Sequence, residues 1–358
     1  MQTPLIYRPK SVFGLDVGRT TIKIAQVKPT RGGVEVVGYA YAKFDESATQ
    51  SGEIVKPELV INTIHDLFKR SLVGKISTNR IVASVPIAHI FTRILQLPEL
   101  ADKDLAEAVR LEAEQYVPVA SQDLYIDYHQ LPMPVAPAAD KASTHPVLMV
   151  AVPKKIVTSY LTVFDRLGLE IEVIEPNMFA NLRIINFSTP LPGAKMVIDF
   201  GARSSDLAIY DTAVRLTSTV ETGGDNITRT IAVALKLSNQ EATQLKIRYG
   251  IGKSRWQGRL ATALQPILSD FATEVQKMMR YYLQHNAGQK AVDHIILVGG
   301  GANMPGLADF LSHLTGVPTQ ICNPWSKLIV KPLQPPTPSE TTIYATALGL
   351  ALKETVND

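Results

Sequence analysis

Two stretches of this chain, about half a chain apart, each put a carboxylate, a glycine and a run of hydrogen-bond donors within a few residues of one another. In the first, Phe13-Gly14-Leu15-Asp16-Val17-Gly18-Arg19-Thr20-Thr21-Ile22-Lys23, an apolar run enters an Asp-x-Gly turn and leaves by alternation. Gly18 supplies the backbone freedom of the turn. The amides and hydroxyls of Arg19, Thr20 and Thr21 then share one small space that suits phosphate oxygens. Asp16 is placed to hold a hydrated Mg²⁺ rather than to touch phosphate. The second stretch, Asp199-Phe200-Gly201-Ala202-Arg203-Ser204-Ser205-Asp206, repeats the grammar. Each alone also fits an ordinary hairpin with a glycine turn. Together they suggest a two-sided clamp on the β- and γ-phosphates, with Asp16 and Asp199 flanking the water shell of the metal.

Two further glycine-rich turns accompany the pair. His294 to Val298 reads as a buried strand that runs into Gly299-Gly300-Gly301-Ala302 and then a helix from Met304, so backbone can approach a flat base or a phosphate. A dinucleotide fold would need this motif to open a βαβ unit with an acid ~20 residues on, and its place near the chain's end argues against that. Gly223-Gly224-Asp225 precedes a helix and would bring amides and a carboxylate to the same ligand; it also reads as a plain N-cap turn with Asp225 as the cap. Lys246 on the next helix would reach a ribose or base, or be solvated. Other chemistries have little support. Cys322 sits beside Pro324 and Trp325 as core or loop, the 7 histidines lack metal spacing, and Glu107, Glu112 and Glu114 read as a solvated helix face.

The elements that must position these groups alternate between strand and helix. Strands are expected at Phe13 to Asp16, Lys23 to Lys28, Gly33 to Tyr41 and Arg80 to Pro86, with a mobile Ser/Gly loop at Asp45 to Gly52 and a helix at Pro57 to Leu72. Then the order changes. A strand His89 to Leu97, a helix Asp102 to Val117, and strands Leu124 to Gln130 and Val147 to Val152 form a strand-helix-strand-strand unit, broken by a Pro/Ala-rich loop from Met133 to His145. A helix Lys154 to Leu167 and a strand Leu169 to Ile174 follow. The second half restarts at Met196 and carries a long amphipathic helix from Leu264 to Asn286 and a last helix from Ile343 to Lys353. A chain of 358 residues exceeds one typical core, and its net charge of +3 is spread without a basic block, so nucleic acid is not indicated. A single cysteine suits a reducing compartment. The start lacks an apolar signal core, residues before Ser11 read as a loose arm, and no apolar run approaches the ~20 residues that span a bilayer. The end of the chain is polar and acidic. Any membrane attachment is therefore expected to go through a partner.

Taken together, the Asp16 turn, the Asp199 turn, Gly223-Gly224 and Gly299-Gly300-Gly301 resemble the phosphate-1, phosphate-2, connecting and adenosine motifs of the actin-like ATPase superfamily. The resemblance covers nearly the whole chain. It implies an α/β fold of two actin-like, ribonuclease-H-like domains around a nucleotide cleft, with an inserted SHS2-type subdomain. Residues 11–86 with 168–190 would form the first domain, 87–167 the insert, 191–340 the second domain with a subdomain near 223–289, and 341–358 a C-terminal helix. ATP with Mg²⁺ would bind Asp16, Gly18, Arg19, Thr20, Thr21, Lys23, Asp199, Gly201, Arg203, Ser204, Gly223, Gly224, Asp225, Lys246 and Gly299 to Ala302, with the metal held through water by Asp16 and Asp199.

Ser84-Val85-Pro86, Arg93, Leu97-Pro98 and Leu105 to Pro118 further resemble the PilM family of type IV pilus assembly. The related FtsA family carries the same insert but ends in a membrane-targeting amphipathic helix. The PilM resemblance implies a cytoplasmic protein, peripheral at the inner membrane, that binds the cytoplasmic N-terminal tail of PilN and other pilus inner-membrane proteins, with self-association open. The tail would lie between the insert and its host domain, along His89, Ile90, Phe91, Thr92 and Arg93. Two departures bear on catalysis. Thr243 stands where the family's helix has a ribose-contacting Glu, and no Gln or Glu in the Pro176 to Ile185 helix orients a water, so hydrolysis is expected to be slow or absent. The rivals are a filament-forming actin-like ATPase and a small-molecule kinase of the same fold.

Overall fold

The computed structural model describes residues 10–131, 144–252, 257–285 and 290–355. The N-terminal arm up to residue 9, the Pro/Ala-rich loop up to residue 143, Asn286 and the last three residues lie outside the described residues. By contacts the chain divides into two units, Met1–Val85 with Thr158–Pro190 and Asn323–Asp358, and Pro86–Val157 with Leu191–Cys322.

The first unit is built on Phe13–Val17, whose five residues are all buried because the strand is covered on both edges and both faces. The strands run in the order Glu170–Pro176, Arg80–Val85, Phe13–Val17, Thr21–Thr30, Gly33–Lys43 and Leu328–Ile329, and Val73–Gly74 pairs with Gly33–Lys43 as well. The helix Ala345–Ala351, buried along its whole length, packs on the central strand. Two glycines permit that approach: a Cβ at Gly14 would lie 2.1 Å from the Ala347 carbonyl oxygen, and one at Gly349 1.9 Å from that of Ala180. Tyr39, Trp325 and Tyr344 meet edge to face, with centroids 5.0 to 5.3 Å apart, and fix the returning chain on the sheet.

The stretch Asp45 to Gly52, expected as a mobile loop, is instead held by local bonds. Asp45 Oδ1 accepts the Ser47 N–H at 2.8 Å and caps the 3-10 turn Glu46–Ala48, and the hairpin Thr49–Gln50 with Glu53–Ile54 follows. The Ile54 N–H donates to Ser159 Oγ at 3.0 Å, and Ala48 is fully buried. The expected helix to Leu72 is α-helical over Pro57–Asp66 and continues as one wider π turn, Leu67–Ser71.

Among the described residues the second unit contains two sheets. One has the order Phe91–Pro98, Thr144–Pro153, Leu124–Gln130 and is covered by the helix Asp102–Tyr116 through Leu105, Val109 and Ala113. The other runs Ala213–Val220, Ser205–Asp211, Lys195–Phe200, His294–Val298, Thr319–Ile321. The long helix Gln257–His285 buries Leu264, Leu268, Phe271 and Val275 against it, and Phe271 meets Phe200 edge to face at 5.3 Å.

The division differs from the expected boundaries in two places. Residues from Asn323 group with the first unit, because Leu328–Ile329 pairs with Gly33–Lys43 and the last helix lies on the central strand. Most of the insert groups with the second unit, where the Thr92 and Thr217 hydroxyls meet at 2.6 Å. Among the described residues no helix is long and apolar enough to cross a membrane.

Candidate functional site

In the first unit, antiparallel pairing of Phe13–Val17 with Thr21–Thr30 sets Asp16 opposite Lys23. The Gly18 N–H donates to the Thr21 carbonyl at 3.0 Å and closes the turn between them. Both oxygens of the buried Asp16 are occupied: Lys23 Nζ donates to Oδ2 at 2.9 Å, and Ser84 Oγ to Oδ1 at 2.8 Å. Ser84 ends the parallel neighbour strand Arg80–Val85, so sheet pairing delivers it. Each carboxylate oxygen keeps one lone pair, which suits the waters of a hydrated cation better than direct coordination. Below lies Tyr160, fully buried, whose phenol is pushed well above its usual range by desolvation and by the Asp16 charge. Arg19 is exposed and Thr20 and Thr21 are half-buried, so the turn faces outward. Nothing local in the sequence ties Ser84 or Tyr160 to Asp16, so neither is legible there as part of the site.

In the second unit the expected residues do gather. Asp199 lies near the end of Lys195–Phe200, with Asp206 as its cross-strand partner. The glycine turn after His294–Val298 lies flat on it: Gly299 has φ +84, a Cβ there would sit 2.3 Å from Asp199 Oδ1, and one at Gly301 would sit 2.2 Å from the Phe200 ring. Gly300 is exposed and Ala302 buried. From the other side, the Gly201 N–H donates to the Ser204 carbonyl at 3.1 Å, which closes the Asp199 turn and leaves Arg203 and Ser204 half-buried at its tip.

Gly223-Gly224-Asp225 acts differently from expectation. The Gly224 N–H donates to the Gly201 carbonyl at 3.0 Å, that of Asp225 to the Ala202 carbonyl at 2.7 Å, and that of Gly223 to Asn226 Oδ1 at 3.1 Å. Two of the three amides thus weld the helix Gly224–Leu235 to the Asp199 turn, and the third, that of Gly223, is spent on the helix's own cap. A Cβ on Gly223 would lie 2.5 Å from the Ala202 oxygen, which is why the weld needs glycine. The cap is Gly223 with Asn226 reaching back, not Asp225. What this segment offers a ligand is the exposed Asp225 carboxylate and Lys246, whose Nζ donates to the Gly224 carbonyl at 2.8 Å. The next helix, Asn239–Arg248, starts on a reciprocal Ser238–Glu241 cap that holds the Glu241 carboxyl below its usual range, and Thr243 bonds within it to Asn239.

Burial pushes the Lys246 ammonium down from 10.5, with Asp225 opposing. A base whose folded pKa lies below its unfolded value disfavours the folded state below the folded pKa, and this cost fades as pH rises toward the unfolded value. Lys246→Met is therefore expected to raise the melting temperature of the ligand-free protein at neutral pH. The gain should shrink as pH climbs through that window, a dependence that paired thermal melts at neutral and alkaline pH would check.

Among the five residues expected to face a partner, Ile90 is buried and His89 closes the 3-10 turn Ile87–His89. The exposed Arg93 stacks its guanidinium 3.4 Å from the centre of the Tyr116 ring. Phe91–Pro98 pairs with Thr144–Pro153 on one side and, among the described residues, with no strand on the other.

Comparison with known proteins now has a geometry to meet. The chain is 25% identical over 279 residues to the cell division protein FtsA of Pseudomonas aeruginosa, covering 70% of this chain and 63% of that one, so it spans less than two thirds of that relative. A solved PilM-PilN type IV pilus biogenesis complex superposes with TM-score 0.82 at 22% identity, covering 98% of this chain and 100% of that one. MreB5 of Spiroplasma citri, solved bound to ADP, follows at TM-score 0.51 and 13% identity over 96% of each chain. The fold is that of the actin-like ATPases. With two Asp-x-Gly turns, a glycine turn seated on the second and a strand-helix-strand-strand insert in place, the family model described as type IV pilus assembly protein PilM matches residues 14–355, and the chain belongs to that family.

Proposed function

We propose that the chain is a nucleotide-dependent assembly component of a type IV pilus platform, which binds Mg-ATP and the cytoplasmic N-terminal tail of PilN, at the inner membrane through that partner. The observation that carries the nucleotide part is the absence of room for any Cβ where Gly299 and Gly301 lie on Asp199 and Phe200, a cradle shaped by backbone. The residues fit the ligand. The Thr20, Thr21 and Ser204 hydroxyls would hold phosphate oxygens, Asp16 and Asp199 the waters of Mg²⁺, Lys246 and Asp225 the ribose side, and Gly299 to Ala302 the base side. Among the described residues no three His, Cys, Asp or Glu gather to ligate a metal directly, which agrees with a cation held through water and phosphate. When bound, the magnesium nucleotide would supply compact charge of both signs. Lys23 and Ser84 hold the Asp16 carboxylate in place by their hydrogen bonds to its two oxygens.

The nucleotide is read as a structural ligand with slow or no turnover. In the helix Asn177–Ser188, Asn181 accepts from Thr346 at 2.9 Å and Arg183 is tied to Glu175, so neither is a ready water-orienting group. For the PilN tail, the open edge of Phe91–Pro98 offers backbone pairing, with Phe91 and Arg93 setting register. That a structural relative is a PilM-PilN complex supports this reading.

Titration calorimetry with ATP, in magnesium and in chelator, tests the nucleotide part. Asp16→Ala and Asp199→Ala should each lower Mg-ATP affinity at least about tenfold, a loss of roughly 1.4 kcal/mol, and weaken the magnesium dependence. Equal affinity in all three proteins would sink the assignment.

A further inference from the structure

The strand Phe91–Pro98, whose open edge is given above to the PilN tail, has a neighbour from outside its own sheet. Ala213–Val220, the edge strand of the five-stranded sheet, lies against it and against the turn Ile87–His89. Among the described residues no ladder joins the two edges. They meet through the half-buried hydroxyls of Thr92 and Thr217, which share a hydrogen bond at 2.6 Å. Thr92 stands between Phe91 and Arg93, the two residues read as setting the register of the tail.

The same neighbour strand runs into the Asp199 turn. Thr219, two residues past Thr217 and so on the same face, donates from Oγ1 to Asp206 Oδ1 at 2.8 Å. Val220 is the cross-strand partner of Ser205, and Ser205 Oγ donates to the Thr222 carbonyl at 2.6 Å. Gly224 and Asp225 then return their amides to the Gly201 and Ala202 carbonyls. The Asp199 turn and the strand up to Thr217 are therefore one hydrogen-bonded body, and Thr217 is a side chain that this body presents to the insert.

We infer that the Thr92–Thr217 bond is the joint through which an occupied nucleotide turn positions the insert's edge for the PilN tail. The inference rests on the assembly reading and adds the residues that connect its two sites. A turn ordered by Mg-ATP steadies Ala213–Val220, Thr217 steadies Thr92, and Phe91 and Arg93 are held in the register the tail needs. Thr217 is a positioning residue that acts through Thr92. One neutral hydrogen bond limits the coupling to about tenfold. By linkage, the tail must tighten Mg-ATP by the same factor.

Two readouts on the full chain test this. Anisotropy of a labelled PilN-type N-terminal peptide, with and without Mg-ATP, gives the enhancement. Hydrogen exchange of the Phe91–Pro98 amides, with and without Mg-ATP, reads the joint with no peptide present. The wild type should show an enhancement of about three- to tenfold and slower exchange at Phe91–Pro98 with Mg-ATP. Thr217→Val should keep Mg-ATP affinity and nucleotide-free peptide affinity within about twofold. Its enhancement should nevertheless vanish, and its exchange should no longer respond to Mg-ATP. Thr217→Ser, which keeps the hydroxyl, should behave as the wild type. Adding Thr92→Val to Thr217→Val should change the enhancement no further, because both act through one bond. A Thr217→Val protein that keeps the enhancement or the exchange response would overturn the inference. So would a wild type that binds both ligands without enhancement. An exchange response that Thr217→Val abolishes, in a chain that binds no peptide, would uphold the joint and sink the PilN assignment instead.

Discussion

Gly299→Val is expected to abolish detectable Mg-ATP binding and to destabilise the protein by at least about 3 kcal/mol. Two costs combine. The residue has φ +84, a region that β-branched side chains avoid, and the new Cβ would stand 2.3 Å from Asp199 Oδ1 and 2.8 Å from the Phe200 carbonyl oxygen. The neighbour that must yield is the end of a central strand, paired on both sides and fully buried at Val197 and Ile198. Relief can come by lifting the glycine turn or by turning the Asp199 carboxylate away, and either takes apart the cradle. Chemical denaturation and ATP titration of one preparation would show both losses. Gly300→Ala, at an exposed position of the same turn, should stay within about 0.5 kcal/mol of the wild type. A Gly299→Val protein with wild-type affinity would mean that this turn does not shape the ligand site.

The second large effect lies in the first unit. Arg183 Nη1 and Nη2 donate to the two oxygens of Glu175 at 2.7 and 3.0 Å, Nη1 also donates to the Gly349 carbonyl at 2.9 Å, and Lys353 stands 3.8 Å from the same carboxylate. Both members of the pair are buried. Arg183→Met should cost about 3–5 kcal/mol, because it leaves the buried Glu175 carboxylate with only the more distant Lys353 and frees the carbonyl of the helix that covers the central strand. Adding Glu175→Met should recover most of that loss, since two apolar side chains in place of a desolvated pair are often neutral. Thermal melts of the single and double variants check this. Equal destabilisation in both would show that the Gly349 contact, rather than the charge, is what the helix needs.

These two sites show what could be read from the sequence. The Asp16 and Asp199 turns and the strands feeding them were legible because a carboxylate, a glycine and an apolar run are local signals. The three glycines after Val298 were legible as a close approach, and the structure shows that Asp199 and Phe200 are what they approach. For Gly223-Gly224-Asp225 the sequence left a ligand turn and an N-cap turn open, since whether an amide is offered or consumed depends on carbonyls some twenty residues back in the chain; the turn is an N-cap, with Gly223 rather than Asp225 as the cap. Ser84 and Tyr160 reach Asp16 through sheet order, which no window of sequence contains. The hairpin at Thr49 to Ile54 escaped because Ser51, at φ 48, makes a turn that its residue type does not advertise. The return of Leu328–Ile329 to the first sheet was hidden for the same reason as the Arg183 contact to the Gly349 carbonyl: both are long-range closures. Glu107 and Glu114 read as a solvated helix face, and both are exposed.

The most direct measurement of the central claim is fluorescence anisotropy of a labelled PilN-type N-terminal peptide titrated with this protein, with and without Mg-ATP. The account predicts saturable binding that is tighter with Mg-ATP, and loss of that enhancement in Asp199→Ala. Tight ATP binding with no peptide binding in either condition would contradict the assembly role.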